Sequence, residues 1–193
     1  VRTAVLGVTL IAGGTIVAQQ RLAPTAHPPV PADLSSMWLV PSQGAKLGPV
    51  TANFVRGVRL LEEDEKPAAA LPLVSAGALS TTPLADYARY YTGLALTKLE
   101  RYSEADKVLG DLASRRIDGH LPEDAAFLQA EVREAQKDYK GALGIYESLV
   151  TRKLARPQTA WLRLGLAADR AERPARSVEA LQRAYYDYPA TAE

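Results

Sequence analysis

From Pro49 to Glu193 apolar positions recur at helical spacing, and inside these runs one small residue is followed twelve positions later by another. Gly57 and Ala69, Gly93 and Ala105, Ala130 and Ala142, and Gly165 and Ser177 satisfy this rule in register. The first members lie 36, 37 and 35 residues apart, and the second members follow the same spacing. Self-similarity at such a period marks a stack of supersecondary units. Two helices crossing closely need small residues at the crossing, because a large side chain would hold them apart. No window alternates apolar and polar residues for long enough to demand a strand. The pattern predicts an all-α chain of four helix pairs.

Local chemistry places the helix limits. Pro83 leads into a helix from about Leu84, Pro122 precedes the acidic first-turn residues Glu123 and Asp124, and Pro157 stands before the helix holding Trp161. Pro67 falls in the first turn of the second helix of unit one. A first turn tolerates proline because its N–H has no intrahelical partner, and the helix dipole favours acids there. Glu100-Arg101-Tyr102 and Lys137-Asp138-Tyr139 supply short polar links, and Gly119 and a turn at Pro174 separate other segments.

The fourth unit carries the fullest signature. Trp161-x2-Leu164-Gly165 opens one helix, Leu181 falls four after Ser177, and Pro189 ends the next helix. This order resembles that of tetratricopeptide repeats, W-x2-L-G, then small-x3-large, then P, in units of about 34 residues. Unit two has Gly93, Leu96, Ala105 and Leu109 at the matching places, unit three has Ala130, Ala142 and Tyr146, and unit one has Phe54, Gly57, Ala69 and Leu73. The resemblance implies a right-handed α-α superhelix, a solenoid of about four pairs. Its packing residues would be Gly57, Ala69, Gly93, Ala105, Ala130, Ala142, Trp161, Leu164, Gly165 and Pro189. By repeat register Phe54, Tyr90, Phe127 and Leu162 share one place on an inner groove, with Tyr87 beside them. Repeat proteins of this kind that clamp a C-terminal carboxylate use Lys and Asn there. The apolar residues here argue against that clamp and leave other protein or peptide partners.

Composition narrows the chemistry. With no cysteine, thiolate catalysis, disulfides and Cys-built metal sites are excluded. The two histidines, His27 and His120, are 93 positions apart, which speaks against a paired-His metal site or a His-centred relay. Twenty-three basic against 22 acidic residues give no field for nucleic acid. We expect no cofactor, no metal and no catalytic residue, and hence no enzyme in this chain alone. The tyrosine groups Tyr87, Tyr90, Tyr91 and Tyr185, Tyr186, Tyr188 read first as filling between helices, as aromatic residues do in such arrays. The acidic run Glu62 to Glu65 reads as a solvated or capping turn.

The first twenty residues differ from the rest. Val1 to Ala18 has Arg2 as its only charge, an apolar run from Ala4 and a small residue at its end. That is the layout of a secretory signal, and the run is short of the roughly 20 residues of a membrane span. Residues 1–20 are therefore expected to be a signal peptide or an uncleaved N-terminal anchor, with membrane contact only in the second case. Residues 21–48 hold prolines at 24, 28, 29 and 31 and read as an extended tether. Residues 49–193 form the repeat domain. The pattern halts at Ala190 to Glu193, where another helix would begin, so the array is expected to be truncated there. The leader places the protein in the periplasm or outside the cell.

Two segments narrow the resemblance further. Leu84-Ala85-Asp86-Tyr87-Ala88-Arg89-Tyr90-Tyr91-Thr92-Gly93-Leu94-Ala95 and Leu181-Gln182-Arg183-Ala184-Tyr185-Tyr186-Asp187-Tyr188-Pro189-Ala190-Thr191-Ala192 resemble the N-terminal superhelical region of soluble lytic murein transglycosylases. Those enzymes cleave peptidoglycan with a separate lysozyme-like domain, whose catalytic glutamate sits in a Glu-Ser motif followed by Gly-Leu-Met-Gln. Here Glu147-Ser148 is the single Glu-Ser pair, and no Gly-Leu-Met-Gln follows it. The resemblance thus implies a non-catalytic envelope scaffold that meets glycan only through a missing catalytic domain. A free-standing periplasmic adaptor for protein partners is the alternative.

Overall fold

The computed structural model describes residues 46–115 and 119–189, all within one compact unit, Lys46–Glu193. The expected leader, nearly all of the tether and residues 190–193 lie outside the described residues. Among the described residues there are eight α-helices, one 3-10 turn and no strand. They form four antiparallel pairs. Pair one is α1 (Pro49–Glu62) with α2 (Pro67–Val74), and pair two is α3 (Ala85–Lys98) with α4 (Tyr102–Ala113). Pair three is α5 (Leu121–Ala135) with α6 (Tyr139–Leu149), and pair four is α7 (Pro157–Arg170) with α8 (Pro174–Asp187). Each helix packs on the next in the chain, and α3 also touches α1 and α5. The first helices of the pairs therefore lie side by side as one layer, the inner layer.

Proline opens α1, α2, α7 and α8 and is the second residue of α5. Pro174 thus begins a helix and does not form a separating turn as the sequence suggested. Its fixed φ suits a first turn, and its missing N–H costs nothing there.

The links inside the pairs explain one failure of the small-residue rule. Pairs two, three and four have three-residue links, each with one residue in the left-handed region: Glu100 (φ 58), Lys137 (φ 62) and Glu172 (φ 59). The next N–H then reaches back five residues: Arg101 to Leu96 at 2.9 Å, Asp138 to Arg133 at 2.9 Å and Arg173 to Ala168 at 2.8 Å. This is the Schellman ending of a helix. Pair one has a four-residue link with Glu65 left-handed (φ 52), and Lys66 reaches back six residues, to Leu60, at 2.7 Å. The extra residue advances α2 by one position, so Ala69 is exposed and Ala70 is fully buried in the place assigned to it. Residues 68–70 are all alanine, which hides the shift from a rule asking only for a small residue.

The other crossing residues are buried: Gly57, Gly93, Ala105, Ala130, Ala142, Gly165 and Ser177. A Cβ on Gly57 would lie 2.8 Å from Val74 Cγ1, and one on Gly165 would lie 2.6 Å from Leu181 Cγ. In pair three the same register brings Ala130 and Tyr146 into one cluster with Phe127, whose ring centroid is 6.2 Å from that of Tyr146. The core falls into clusters that follow the pairs. Leu96, Ala105, Leu109 and Leu112 of pair two, for example, bury Leu121, Ala125, Leu128 and Val132 of α5. Each pair thus presents a face that only the next pair covers, as in a solenoid.

Pair one departs once more. Its second helix is only 8 residues long and contains Pro72, which cannot donate to the preceding turn. A 3-10 turn at Gly77–Thr81 follows, and its Leu79 (1% exposed) joins the cluster of Phe54, Leu61 and Val74. No helix among the described residues is long and apolar enough to cross a membrane.

Candidate functional site

The inner layer carries the register positions expected of a groove, and the structure separates them by burial. Phe54 (6% exposed) and Phe127 (7%) are buried, while Tyr90 and Leu162 are half-buried and Tyr87 is 41% exposed. Phe54 meets the edge of Tyr91 at 5.9 Å between centroids, and the Phe127 ring lies 4.9 Å from the guanidinium of Arg156. The two phenylalanines are therefore core, with their inward faces covered. One turn further along, on the same face, lie Val58, Leu94, Glu131 and Leu166. Leu166 is 39% exposed, and Val58 and Leu94 are half-buried. What remains open is a strip of Tyr87, Tyr90, Leu94, Leu162 and Leu166.

Polar contacts tie this layer together. The Tyr91 hydroxyl on α3 donates to Glu62 Oε1 on α1 at 2.8 Å. Between α5 and α7, Arg163 pairs with Glu131 at 3.5 Å and Arg170 with Glu134 at 2.7 Å. Arg156 pairs with Asp124, and Glu123 accepts the backbone N–H groups of Ala155 at 2.9 Å and Arg156 at 3.1 Å. Burial, and then the bond to Glu62, push the Tyr91 phenol well above its ordinary range. Tyr90 is also pushed up, by burial and then by the charge of Asp124, with Arg156 opposing. Both phenols are therefore neutral at physiological pH, and that of Tyr91 is a donor.

The remaining sequence candidates are placed as follows. Leu164 is fully buried, and Trp161 is half-buried on α7 beneath two arginines of α8, Arg176 at 5.8 Å and Arg183 at 5.2 Å. Pro189 follows α8 and is exposed. Tyr185 and Tyr186 are each 72% exposed, so they do not fill a gap between described helices. Glu147, of the Glu-Ser pair, is exposed on α6 and pairs with Arg176 at 3.4 Å. An exposed, paired carboxylate lacks the enclosed pocket a glycosidase acid needs. His120 is exposed, with Asp124 at 3.7 Å, and His27 lies outside the described residues. Among the described residues no three His, Cys, Asp or Glu side chains are grouped to hold a metal.

One network had no sequence signal. Arg133 on α5 donates to Asp106 on α4, 27 residues away, through Nε and Nη2 at 2.8 Å each, and to Asp138 through Nη1 at 2.7 Å. Asp138 also caps α6 by accepting the Gly141 N–H at 3.0 Å. Contacts across such spans follow from stacking and have no local pattern.

Comparison with known proteins agrees with this architecture. The family description "Tetratricopeptide repeat" matches residues 124–152 and 159–191. No curated protein sequence matches the chain. Two solved structures, "MamA RS-1 ArsTM double mutant" and "MamA 41-end from Desulfovibrio magneticus RS-1", are each similar at 26% identity with a TM-score of 0.60. Each similarity covers 75% of this chain and 78% of the other. The chain carries tetratricopeptide repeats in a helical solenoid similar to MamA.

Proposed function

We propose that the chain is a non-catalytic interaction scaffold whose inner layer receives a segment of a partner protein. The observation that carries this reading is the open strip of Tyr87, Tyr90, Leu94, Leu162 and Leu166 on a framework of paired charges. Tyrosine and leucine exposed together on a rigid surface give large contact area at low ordering cost. The strip residues come from α3 of pair two and α7 of pair four, with α5 of pair three between them, so an extended or helical segment crossing all three pairs fits them better than a small molecule. The test is selection of displayed peptides on the full chain, followed by affinity measurement with Tyr87→Ala and Leu166→Asp. Loss of binding in both supports the strip, and peptides insensitive to both would overturn it.

A second reading rests on the two segments at 84–95 and 181–192. By it the scaffold is the superhelical part of a peptidoglycan lytic transglycosylase, and the leader-like Val1 to Ala18 supports a place in the cell envelope. Sedimentation of the full chain with purified sacculi tests the glycan role, and failure to co-sediment removes it. Export of a reporter fused behind residues 1–36 tests the location.

A further inference from the structure

On the side away from the inner layer, a cleft of about 370 Å³ opens between α4 and α6, with α5 as its floor. Gly110 lines one wall and Gly144 and Ser148 the other, while Ile145 and Leu149 supply apolar surface. Among the described residues no aspartate or glutamate lines it. Two arginines do. Arg133 is held by Asp106 and Asp138, but the guanidinium of Arg152, among the described residues, donates only to the Ser148 hydroxyl, at 3.1 Å. Among the described residues the cleft therefore keeps one exposed cation without a carboxylate partner.

Gly144 is the informative residue. Several helical glycines have a neighbour where a Cβ would stand: Gly57 has Val74, Gly93 has Leu109, Gly165 has Leu181 and Gly141 has the capping Asp138, while at Gly110 only the flexible end of Gln129 comes close. At Gly144 an added Cβ would meet nothing within 4 Å, and the residue is exposed in the middle of α6. A helix-interior glycine is less stable than alanine, so packing within the chain gives no reason for it. What a side chain at 144 would take is room in the cleft.

We propose that this cleft binds a short acidic segment of a partner protein, with an apolar side chain placed between α4 and α6 and a carboxylate on Arg152. The site is separate from the inner strip and does not depend on the reading of that strip. Its charge selects an acidic partner, since burying an unpaired cation against a basic one would be unfavourable.

The test is fluorescence anisotropy on the full chain. One probe is a fluorescein-labelled hexapeptide alternating leucine and glutamate, and the other replaces each glutamate with lysine. The acidic probe should bind at least about tenfold more tightly than the basic one. Gly144→Leu fills the cleft and Arg152→Glu reverses its charge, and each should weaken the acidic probe by about tenfold or more. Position 144 is open and Arg152 is exposed, so neither variant should melt below the wild type, and Gly144→Leu should melt above it because leucine favours the helix over glycine. If Gly144→Leu unfolds the chain, the Arg152→Glu measurement decides alone. Equal binding of the two probes, binding of neither, or wild-type affinity in the folded variants overturns the proposal.

Discussion

Gly93 on α3 and Leu109 on α4 pack so closely that a Cβ on the glycine would lie 2.5 Å from Leu109 Cδ2. Gly57 with Val74 and Gly165 with Leu181 repeat the relationship in pairs one and four. In these three pairs the distance between the two helices is thus set by the absence of one atom, whereas pair three holds Ala130 at this place. Gly93→Ala should lower unfolding stability by about 1–3 kcal/mol in urea titrations, through overpacking. Gly144→Ala, in a helix but open to solvent, should raise it by about 0.5–1 kcal/mol. Equal effects from the two would show that helix propensity, and not the crossing, governs both.

Arg133 on α5 ties pair three to pair two through Asp106 and ties α5 to the start of α6 within pair three through Asp138, and Arg133→Met should cost about 1–3 kcal/mol by removing charged hydrogen bonds. The hydrogen bond from Arg133, and then that from Gly141, hold the Asp138 carboxyl below the ordinary range. The folded chain binds that proton less tightly than the unfolded chain. The contribution is therefore full above the unfolded value near about 4 and is lost as pH falls through the folded value. Asp138 is well exposed, so the effect is a small one. Thermal melts on acidification should show the wild type losing more stability than Arg133→Met.

Tyr146 is fully buried, and among the described residues its hydroxyl and Glu134 Oε1, though close enough to interact, form no hydrogen bond of ordinary geometry. Tyr146→Phe should therefore leave stability at neutral pH within about 1 kcal/mol, whereas Tyr146→Ala should lose about 3–5 kcal/mol to the cavity. Burial, and then the charge of Glu134, push the phenol well above its ordinary range. The folded chain keeps the proton more tightly, so stability is intact below the unfolded value of about 10 and falls as pH rises above it. Denaturation at alkaline pH should show a smaller loss in Tyr146→Phe than in the wild type.

Glu172 adopts a left-handed backbone at φ 59, where a side chain is unfavourable. Glu172→Gly should stabilise by about 1 kcal/mol. Gln182→Gly, exposed within α8, should destabilise by a similar amount, about 1 kcal/mol, which separates the turn effect from a general response to glycine. Differential scanning calorimetry of the two variants checks the signs.

The strip on the inner layer was only partly legible. Register put Phe54, Tyr90, Phe127 and Leu162 at one place, yet the two phenylalanines are core, with Tyr91 of α3 and Arg156 at the start of α7 against their rings. Leu166 lies one turn past Leu162 on the same face, so the i, i+4 rule would have found it. The cleft between α4 and α6 had no signal at all, because Gly110 and Gly144 belong to different pairs and neither marks a turn.

The period of small residues, the prolines and the helical apolar spacing determine by themselves that this chain is a stack of four helix pairs, because each acts within one turn or one crossing. Whether Ala69 or Ala70 fills a crossing depends on a one-residue difference in link length that three successive alanines conceal. The pairing of Arg133, the burial of Phe54 and Phe127 and the open face beside Gly144 were decided only when the pairs stacked. At the crossings burial follows from spacing within one pair, but on the outer faces of a pair it depends on what the neighbouring pair covers, which no spacing within one pair encodes.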